Sequence, residues 1–227
     1  MGWIIKLFRS SVGAKVLMAV TGVALVGFVL AHLAGNLQIY IGREAFNSYA
    51  FFLKSKPGLV WAMRLGIIIA ALLHILSGLR LAALNRAARG PEGYRKKRHR
   101  RAGLFGRSMP LSGLTLLAFI VYHLMHFTLG IAHRQNFERI DALGRHDVYG
   151  MFVLGFQNPL ISATYVLAMV LLGMHLSHGI TSMFQSIGLT APKYRPLIDR
   201  VGPLVSLVVV AGNISMPVAV LTGYITL

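Results

Sequence analysis

Five long apolar blocks constrain this chain of 227 residues more than any other feature. They cover residues 16–33, 60–84, 109–132, 159–187 and 201–227. An α-helix needs roughly 20 apolar residues to cross a bilayer, and in hydrocarbon the backbone polar groups must be paired within the protein. The chain is therefore predicted to be an all-α integral membrane protein, one domain built as a bundle of five transmembrane helices.

The position of the basic residues indicates how these helices are oriented. The formal net charge is +17, and the lysines and arginines are concentrated before the first block, in residues 86–107, and between the fourth and fifth blocks. The positive-inside rule places these three segments in the cytoplasm. We therefore expect a cytoplasmic N-terminus and an external C-terminus in a bacterial-type inner membrane, and no role in nucleic-acid binding.

The basic segment 86–107 has two interpretations that the sequence leaves open. A polybasic stretch beside a spanning helix attracts anionic lipid headgroups. The same stretch could instead form a docking surface for a partner protein on the cytoplasmic side.

Four histidines, one in each of the first four blocks, are the candidate functional residues. They are His32, His74, His123 and His175. An ionisable side chain inside a membrane is costly and therefore indicates function. Since the chain has no cysteine, a metal or cofactor would have to be held by other ligands.

The depth of these histidines predicts two pairs. His32 and His123 lie 17 and 16 residues after the basic residue that precedes their blocks, Lys15 and Arg107. His74 lies 17 residues after Pro57, just before its block, and His175 lies 16 residues after Pro159, which begins its block. Each is thus about 25 Å from its entry point, in a hydrocarbon core of about 30 Å. Because the first and third blocks start inside and the other two outside, His32 and His123 should share the outer half, and His74 and His175 the inner half.

Two pairs of neutral imidazoles suit a redox metal cofactor with two axial nitrogen ligands, and two b-type haems fit this pattern. With both axial positions filled by protein, electron transfer is the expected function. A competing class is an ion transporter lined by histidines. The absence of Asp and Glu from all five blocks counts against that class.

Two further histidines follow the candidates at a spacing of three residues. His126 follows His123, and His178 follows His175. Residues three apart share a helix face, so spacing alone does not choose between the members of each pair. The depth symmetry favours the first of each, and the second could bind a propionate, a quinone carbonyl or the backbone.

A glycine also follows each inner histidine by four residues, Gly78 after His74 and Gly179 after His175. A glycine at this position would let a flat ligand approach the helix backbone. Close packing between helices explains it equally well.

Several short motifs in order carry a family resemblance. They are Ser10-Ser11-Val12-Gly13, His32-Leu33-Ala34-Gly35-Asn36, Ala45-Phe46-Asn47-Ser48-Tyr49, His74 with Gly78, Tyr122-His123-Leu124, and His175-Leu176-Ser177-His178-Gly179 continuing to Gly188-Leu189-Thr190. Together they resemble the di-haem cytochrome b membrane anchor of succinate:quinone oxidoreductases, succinate dehydrogenase or fumarate reductase, in the form with a single five-helix anchor. The resemblance spans nearly the whole chain.

The resemblance implies axial ligands for two haems b. His74 and His175 match the ligands of the haem nearer the cytoplasm, and His32 and His123 those of the outer haem. It further implies cytoplasmic partners, a flavoprotein with FAD and an iron–sulfur subunit, docked on residues 86–107 and 193–200. The resemblance also implies that electrons from succinate, as in the tricarboxylic acid cycle, pass through the two haems to a membrane quinone. Electron transfer in the opposite direction is the alternative. The chain itself has no catalytic residues for succinate.

For the quinone, which would be menaquinone or ubiquinone, the sequence offers only candidate contact residues. On the outer side the candidates are polar residues near the outer pair: Asn36, Gln38, Arg43, Asn47 and His126. Ser108 and Ser112 are candidates on the inner side. Alternatives within electron transfer are the di-haem anchor of a hydrogenase or formate dehydrogenase, or a ferric reductase.

Overall fold

The computed structural model describes residues 10–88, 108–189 and 191–227. It is 83% helical, and the described residues contain five helices that are long and apolar enough to cross a membrane. The predicted fold class, an all-α multi-pass membrane protein, is therefore confirmed. Residues 1–9 and the basic segment from residue 89 to 107 lie outside the described residues, so their predicted cytoplasmic location stays a prediction.

The described residues form eight α-helices, α1 to α8 in chain order. They are α1 Ser11–Asn36, α2 Arg43–Lys54, α3 Pro57–Ala87, α4 Met109–His123, α5 Arg134–Phe137, α6 Val148–Phe156, α7 Pro159–Ser186 and α8 Arg195–Leu221. The membrane-spanning ones are α1, α3, α4, α7 and α8. Short 3-10 turns, Leu37–Tyr40 and Pro192–Tyr194, follow α1 and precede α8.

Side-chain caps explain where two spanning helices begin. The Ser10 hydroxyl accepts a hydrogen bond from the Gly13 N–H at 2.9 Å, so α1 starts five residues before its predicted first residue, 16. The Asn158 side chain accepts from the Leu160 N–H at 3.0 Å, next to the proline that begins α7. Such caps pair backbone N–H groups that the helix itself leaves unpaired.

The third spanning helix ends earlier than the predicted residue 132. Its α-helical part stops at His123 and continues as one π-helical turn, Leu124–Thr128. The Leu129 N–H donates to the Leu124 carbonyl at 2.8 Å, the wider pairing that defines this turn. Gly130 follows at φ +67°, a backbone conformation that favours glycine and ends the helix.

The last helix is displaced towards the N-terminus relative to the prediction of 201–227. It already begins at Arg195 and ends at Leu221. Gly223 then turns the chain at φ +75°, and the Ile225 N–H donates back to the Ala219 carbonyl at 3.0 Å. Ile225 is buried, so the chain folds back at the end of the helix instead of extending it.

The described residues divide into two compact units. Unit A comprises the described parts of Met1–Phe28, Leu65–Gly113 and Met174–Ser206. Unit B comprises Val29–Arg64, Leu114–Gly173 and Leu207–Leu227.

Unit B has an aromatic core built largely by the connection between α4 and α7. Residues 148–156 of that connection form α6, of which seven residues are buried. Its Phe152 and Phe156 pack on each other, on Phe46 of α2 and on Phe127 of the π turn. Burying several aromatic rings stabilises this part of the chain strongly.

The spanning helices differ in how much of their surface the protein covers. In the most apolar window of α3 only 6% of the residues are buried, against 33% in α7 and α8. Exposed leucines and isoleucines therefore cover most of α3, as a lipid-facing surface requires.

Candidate functional site

In unit A the side chains of His74, on α3, and His175, on α7, face each other. Their ring centroids lie 6.3 Å apart with the ring planes at 61°. The two histidines predicted to share the inner half are thus brought together.

The hydrogen bonds of His74 decide which ring nitrogen carries its proton. Its Nδ1 lies 3.2 Å from the Met18 carbonyl oxygen and 3.3 Å from the Thr21 hydroxyl, both on α1. A carbonyl oxygen can only accept, so Nδ1 is the donor. The lone pair of the neutral imidazole therefore lies on Nε2, where a metal can bind.

His175 has a corresponding partner on α4. Its Nδ1 lies 3.1 Å from the Ser112 hydroxyl, and that hydroxyl donates its own proton to the Met109 carbonyl at 3.1 Å. With its single proton donated to the Met109 carbonyl, the serine oxygen accepts from the Nδ1–H of His175. His175, like His74, therefore presents Nε2 as the free acceptor.

Unit B brings together the other pair, His32 on α1 and His123 on α4. Their ring centroids are 5.9 Å apart and the planes are perpendicular. The Nδ1 of His123 lies 3.4 Å from the hydroxyl of Tyr165, a residue of α7. Sequence reasoning missed Tyr165, since no local signal marks it.

None of the four paired histidines is buried by the protein. His32 is exposed, and His74, His123 and His175 are half-buried. Each of the four residues thus keeps some surface that the described residues leave accessible. An imidazole left uncovered within a membrane-spanning segment is unfavourable.

His126 has a different environment. It is 1% exposed and its Nδ1 lies 3.0 Å from the Tyr165 hydroxyl. Its ring stacks on Phe127 at 3.9 Å and contacts His133 at 4.9 Å between centroids. Its Nε2 has no hydrogen-bond partner within the described part of the chain. The ring thus belongs to the aromatic core of unit B, next to the His32–His123 pair.

His178, the other additional histidine, interacts along its own helix. Its Nε2 lies 3.1 Å from the hydroxyl of Ser182, one turn further on. The rings of His74 and His175 face each other without it.

Glycines lie against both inner rings, but not the two that the sequence singled out. A Cβ atom on Gly22 would lie 3.4 Å from the Cε1 of His74, and one on Gly113 would lie 3.6 Å from the Cε1 of His175. At Gly78 the nearest atom would be the Met18 sulfur at 3.9 Å, and at Gly179 no described atom would lie within 4 Å. Among the described residues, no other helix therefore packs closely against Gly179.

Two of the nominated quinone contacts are engaged with the protein itself. Asn47 is fully buried, donates to Asp147 at 3.0 Å and accepts from the Tyr149 N–H at 2.9 Å. Arg43 lies over the Tyr149 ring at 5.4 Å and 3.6 Å from the Asp147 carboxylate. These contacts indicate a structural role for both residues.

The remaining nominated residues lie at the ends of helices. Asn36 and Gln38 are half-buried where α1 passes into its 3-10 turn, and Ser108 is half-buried before α4. Ser112 is buried against His175, as described above.

The acidic residues near α2 lie outside the spanning segments and remain charged at neutral pH. Burial raises the pKa of Asp147, but hydrogen bonds from Asn47 and the Gly150 N–H, with the nearby arginines, outweigh this effect and lower it. The pKa of Asp141 is lowered in the same way. Burial raises its pKa, and stronger hydrogen bonds, led by the Arg145 side chain, bring it down to about 2.

The described residues contain no cluster of three or more His, Cys, Asp or Glu side chains that could hold a metal ion. The two histidine pairs each offer two imidazoles, which suits a metal whose other ligands come from a cofactor. Comparison with protein-family models, with curated proteins and with solved structures finds no match to this chain.

Proposed function

We propose that this chain is the membrane-anchor cytochrome b subunit of a succinate:quinone oxidoreductase and binds two haems b. His74 and His175 would hold one haem, and His32 and His123 the other. The observation that carries the proposal is the presence of two facing imidazole pairs, one in each unit. The motifs that resemble this family include all four residues.

The residues present fit such a group. A metal bound to an imidazole nitrogen on each side, with bonds of about 2 Å, would separate the two ring centroids by roughly 6 Å. The observed separations are 5.9 and 6.3 Å. In the inner pair both Nδ1 atoms are hydrogen-bonded within the protein, which leaves both Nε2 atoms as ligands.

When bound, a haem with both axial positions filled by histidine supplies one-electron redox chemistry without an open site for substrate. The chain's own residues orient His74, His123 and His175 through contacts at Nδ1. Succinate chemistry would belong to a flavoprotein with FAD and to an iron–sulfur subunit. The basic residues between α3 and α4 and around Lys193 would face these partners on the cytoplasmic side of a bacterial-type inner membrane.

A difference spectrum tests the haem content. The protein purified from membranes in detergent should show the α-band of a b-type haem in the reduced-minus-oxidised spectrum, with about two haems per chain. The substitutions H32A, H74A, H123A and H175A should each remove one haem, whereas H126A and H146A should retain both. A wild-type protein without a b-type band would refute the haem assignment.

A second measurement tests the partners. In membranes that contain the intact complex, succinate should reduce the haems, and a flavoprotein and an iron–sulfur protein should copurify with the chain. Reduction by hydrogen or formate instead would assign the chain to one of the alternative di-haem anchors.

A further inference from the structure

We propose that two hydroxyl–glycine dipeptides, Thr21-Gly22 on α1 and Ser112-Gly113 on α4, position the inner histidine pair. Each dipeptide would fix one imidazole with its proton on Nδ1 and with Nε2 directed away from the helix that carries the dipeptide. The inference rests on the proposed function and names positioning residues for that same site.

The same arrangement occurs twice in unit A. Thr21 lies 3.3 Å from the Nδ1 of His74, and the neighbouring Gly22 approaches the same ring at Cε1. Ser112 lies 3.1 Å from the Nδ1 of His175, and Gly113 approaches that ring at Cε1. Two different helices therefore place the same pair of residue types against the same edge of an imidazole.

The hydroxyls are committed as acceptors towards the histidines. Thr21 donates its proton to the Leu17 carbonyl at 2.7 Å, and Ser112 donates to the Met109 carbonyl at 3.1 Å. Both are bonds to the preceding turn of their own helix, a common arrangement for these residue types. With its only proton used, each oxygen can only accept from the imidazole. Both hydroxyl residues are buried, so water does not compete for this bond.

The glycines provide the space for this contact. A Cβ would lie in van der Waals contact with the ring at 3.4 Å for Gly22 and 3.6 Å for Gly113. A branched side chain would extend beyond that position and displace the imidazole from its hydroxyl. Gly27, on the same helix as Gly22, has no described atom within 4 Å of the corresponding position.

A hydrogen bond from Nδ1–H to an acceptor raises the basicity of the ligating Nε2. A more basic ligand favours the oxidised, more positive metal. Loss of the acceptor should therefore raise the midpoint potential of the inner haem and leave the outer haem unchanged.

The experiment is a redox titration of the haem spectra of the purified protein. S112A should shift one of the two one-electron steps to a more positive potential, and S112T, which keeps the hydroxyl, should restore it. T21V should shift the same step by less, because the Met18 carbonyl still accepts from His74. T164V on α7 is the matched control, since Thr164 donates to the preceding turn and is exposed.

The glycines are tested with G22V, compared with G27V on the same helix. G22V should lower the occupancy of the inner haem and broaden its spectrum, and G27V should leave both unchanged. Wild-type potentials in both S112A and T21V, or equal shifts of the two haems, would overturn the positioning role while the two-haem assignment stands. A wild-type protein without haem would overturn the proposed function and this inference with it.

Discussion

One hydroxyl group in unit B joins two histidines. The Tyr165 oxygen lies 3.4 Å from the Nδ1 of His123 and 3.0 Å from the Nδ1 of His126. If His123 binds a metal through Nε2, its Nδ1 carries the proton and donates to Tyr165, which in turn donates to His126. Through this series of hydrogen bonds the buried His126 would orient the ligand His123 and would not itself bind the metal.

Substitution of this tyrosine should therefore affect the outer pair alone. We expect Y165F to raise the midpoint potential of the haem proposed at His32 and His123 and to leave the haem proposed at His74 and His175 unchanged, since His123 loses its hydrogen-bond acceptor. Spectral redox titration measures both steps in one sample. Y122F is the control, because Tyr122 contacts the rings of His126 and Tyr165 within the same aromatic cluster. A Y165F protein with both potentials at wild-type values would contradict this role.

Some residues of the recognised motifs prove to be structural. Gly35 receives the ring of Tyr49, since a Cβ there would lie 2.8 Å from the tyrosine hydroxyl. Asn47 satisfies the buried Asp147 carboxylate and the Tyr149 N–H at the start of α6. The motifs thus contain packing residues as well as candidate ligands, and the sequence does not separate the two.

At the scale of elements, polar contacts form a clamp between α2 and the segment that comprises residues 141–147 and the start of α6. Asn47 of α2 donates to Asp141 and Asp147 and accepts from the backbone at Tyr149. Arg145 bridges Glu44 of α2 and Asp141. The contacts of Asn47 and the Arg145–Glu44 ion pair join residues about 100 positions apart in the chain, so local sequence patterns carry no signal for them.

Removal of the central amide should loosen this clamp. N47A leaves the Tyr149 N–H without its acceptor and removes one of the donors to Asp141 and one of the donors to Asp147. A buried polar group left unpaired costs about 1–3 kcal/mol, and we expect a loss of stability of that order. Thermal unfolding of the detergent-solubilised protein, with the exposed Gln157 changed to Ala as control, measures it. Equal thermal unfolding midpoints for N47A and Q157A would show that the contacts of Asn47 in this clamp do not stabilise the protein.

The same clamp predicts a dependence of stability on pH. The pKa of Asp141 is lowered to about 2 in the folded protein, whereas an unfolded aspartate has a pKa of about 4. A lowered pKa stabilises the fold fully above the unfolded value, and this stabilisation is lost as the pH falls through the folded value. The unfolding midpoint should therefore drop between about pH 4 and pH 2, and D141N should flatten this drop.

At the scale of the molecule, the five spanning helices require a defined orientation. The positive-inside rule predicts that Lys193 faces the cytoplasm and that the loop around Leu143 faces outwards. Because the chain lacks cysteine, single cysteines can report this directly. In intact cells an impermeant thiol reagent should label L143C, at an exposed position, and should label K193C only after lysis. The opposite pattern would invert the topology.

The sequence by itself determined the fold class, because hydrocarbon solvent leaves helices as the solution for long apolar blocks. It also predicted which histidines pair, since depth in a membrane follows from counting residues along a helix of known rise. Helix ends were less predictable where a cap, a π turn or a folded-back terminus intervened.

Only the tertiary structure decided what surrounds the histidines. Thr21 and Ser112 meet His74 and His175 from other helices, and Tyr165 reaches His123 in the same way. The choice of the protonated ring nitrogen depends on these contacts between distant residues, which no spacing along one helix encodes. The buried α6 likewise appears in the sequence only as part of a loop, because its burial is created by the distant rings of Phe46, Phe127 and Tyr165 that pack on it.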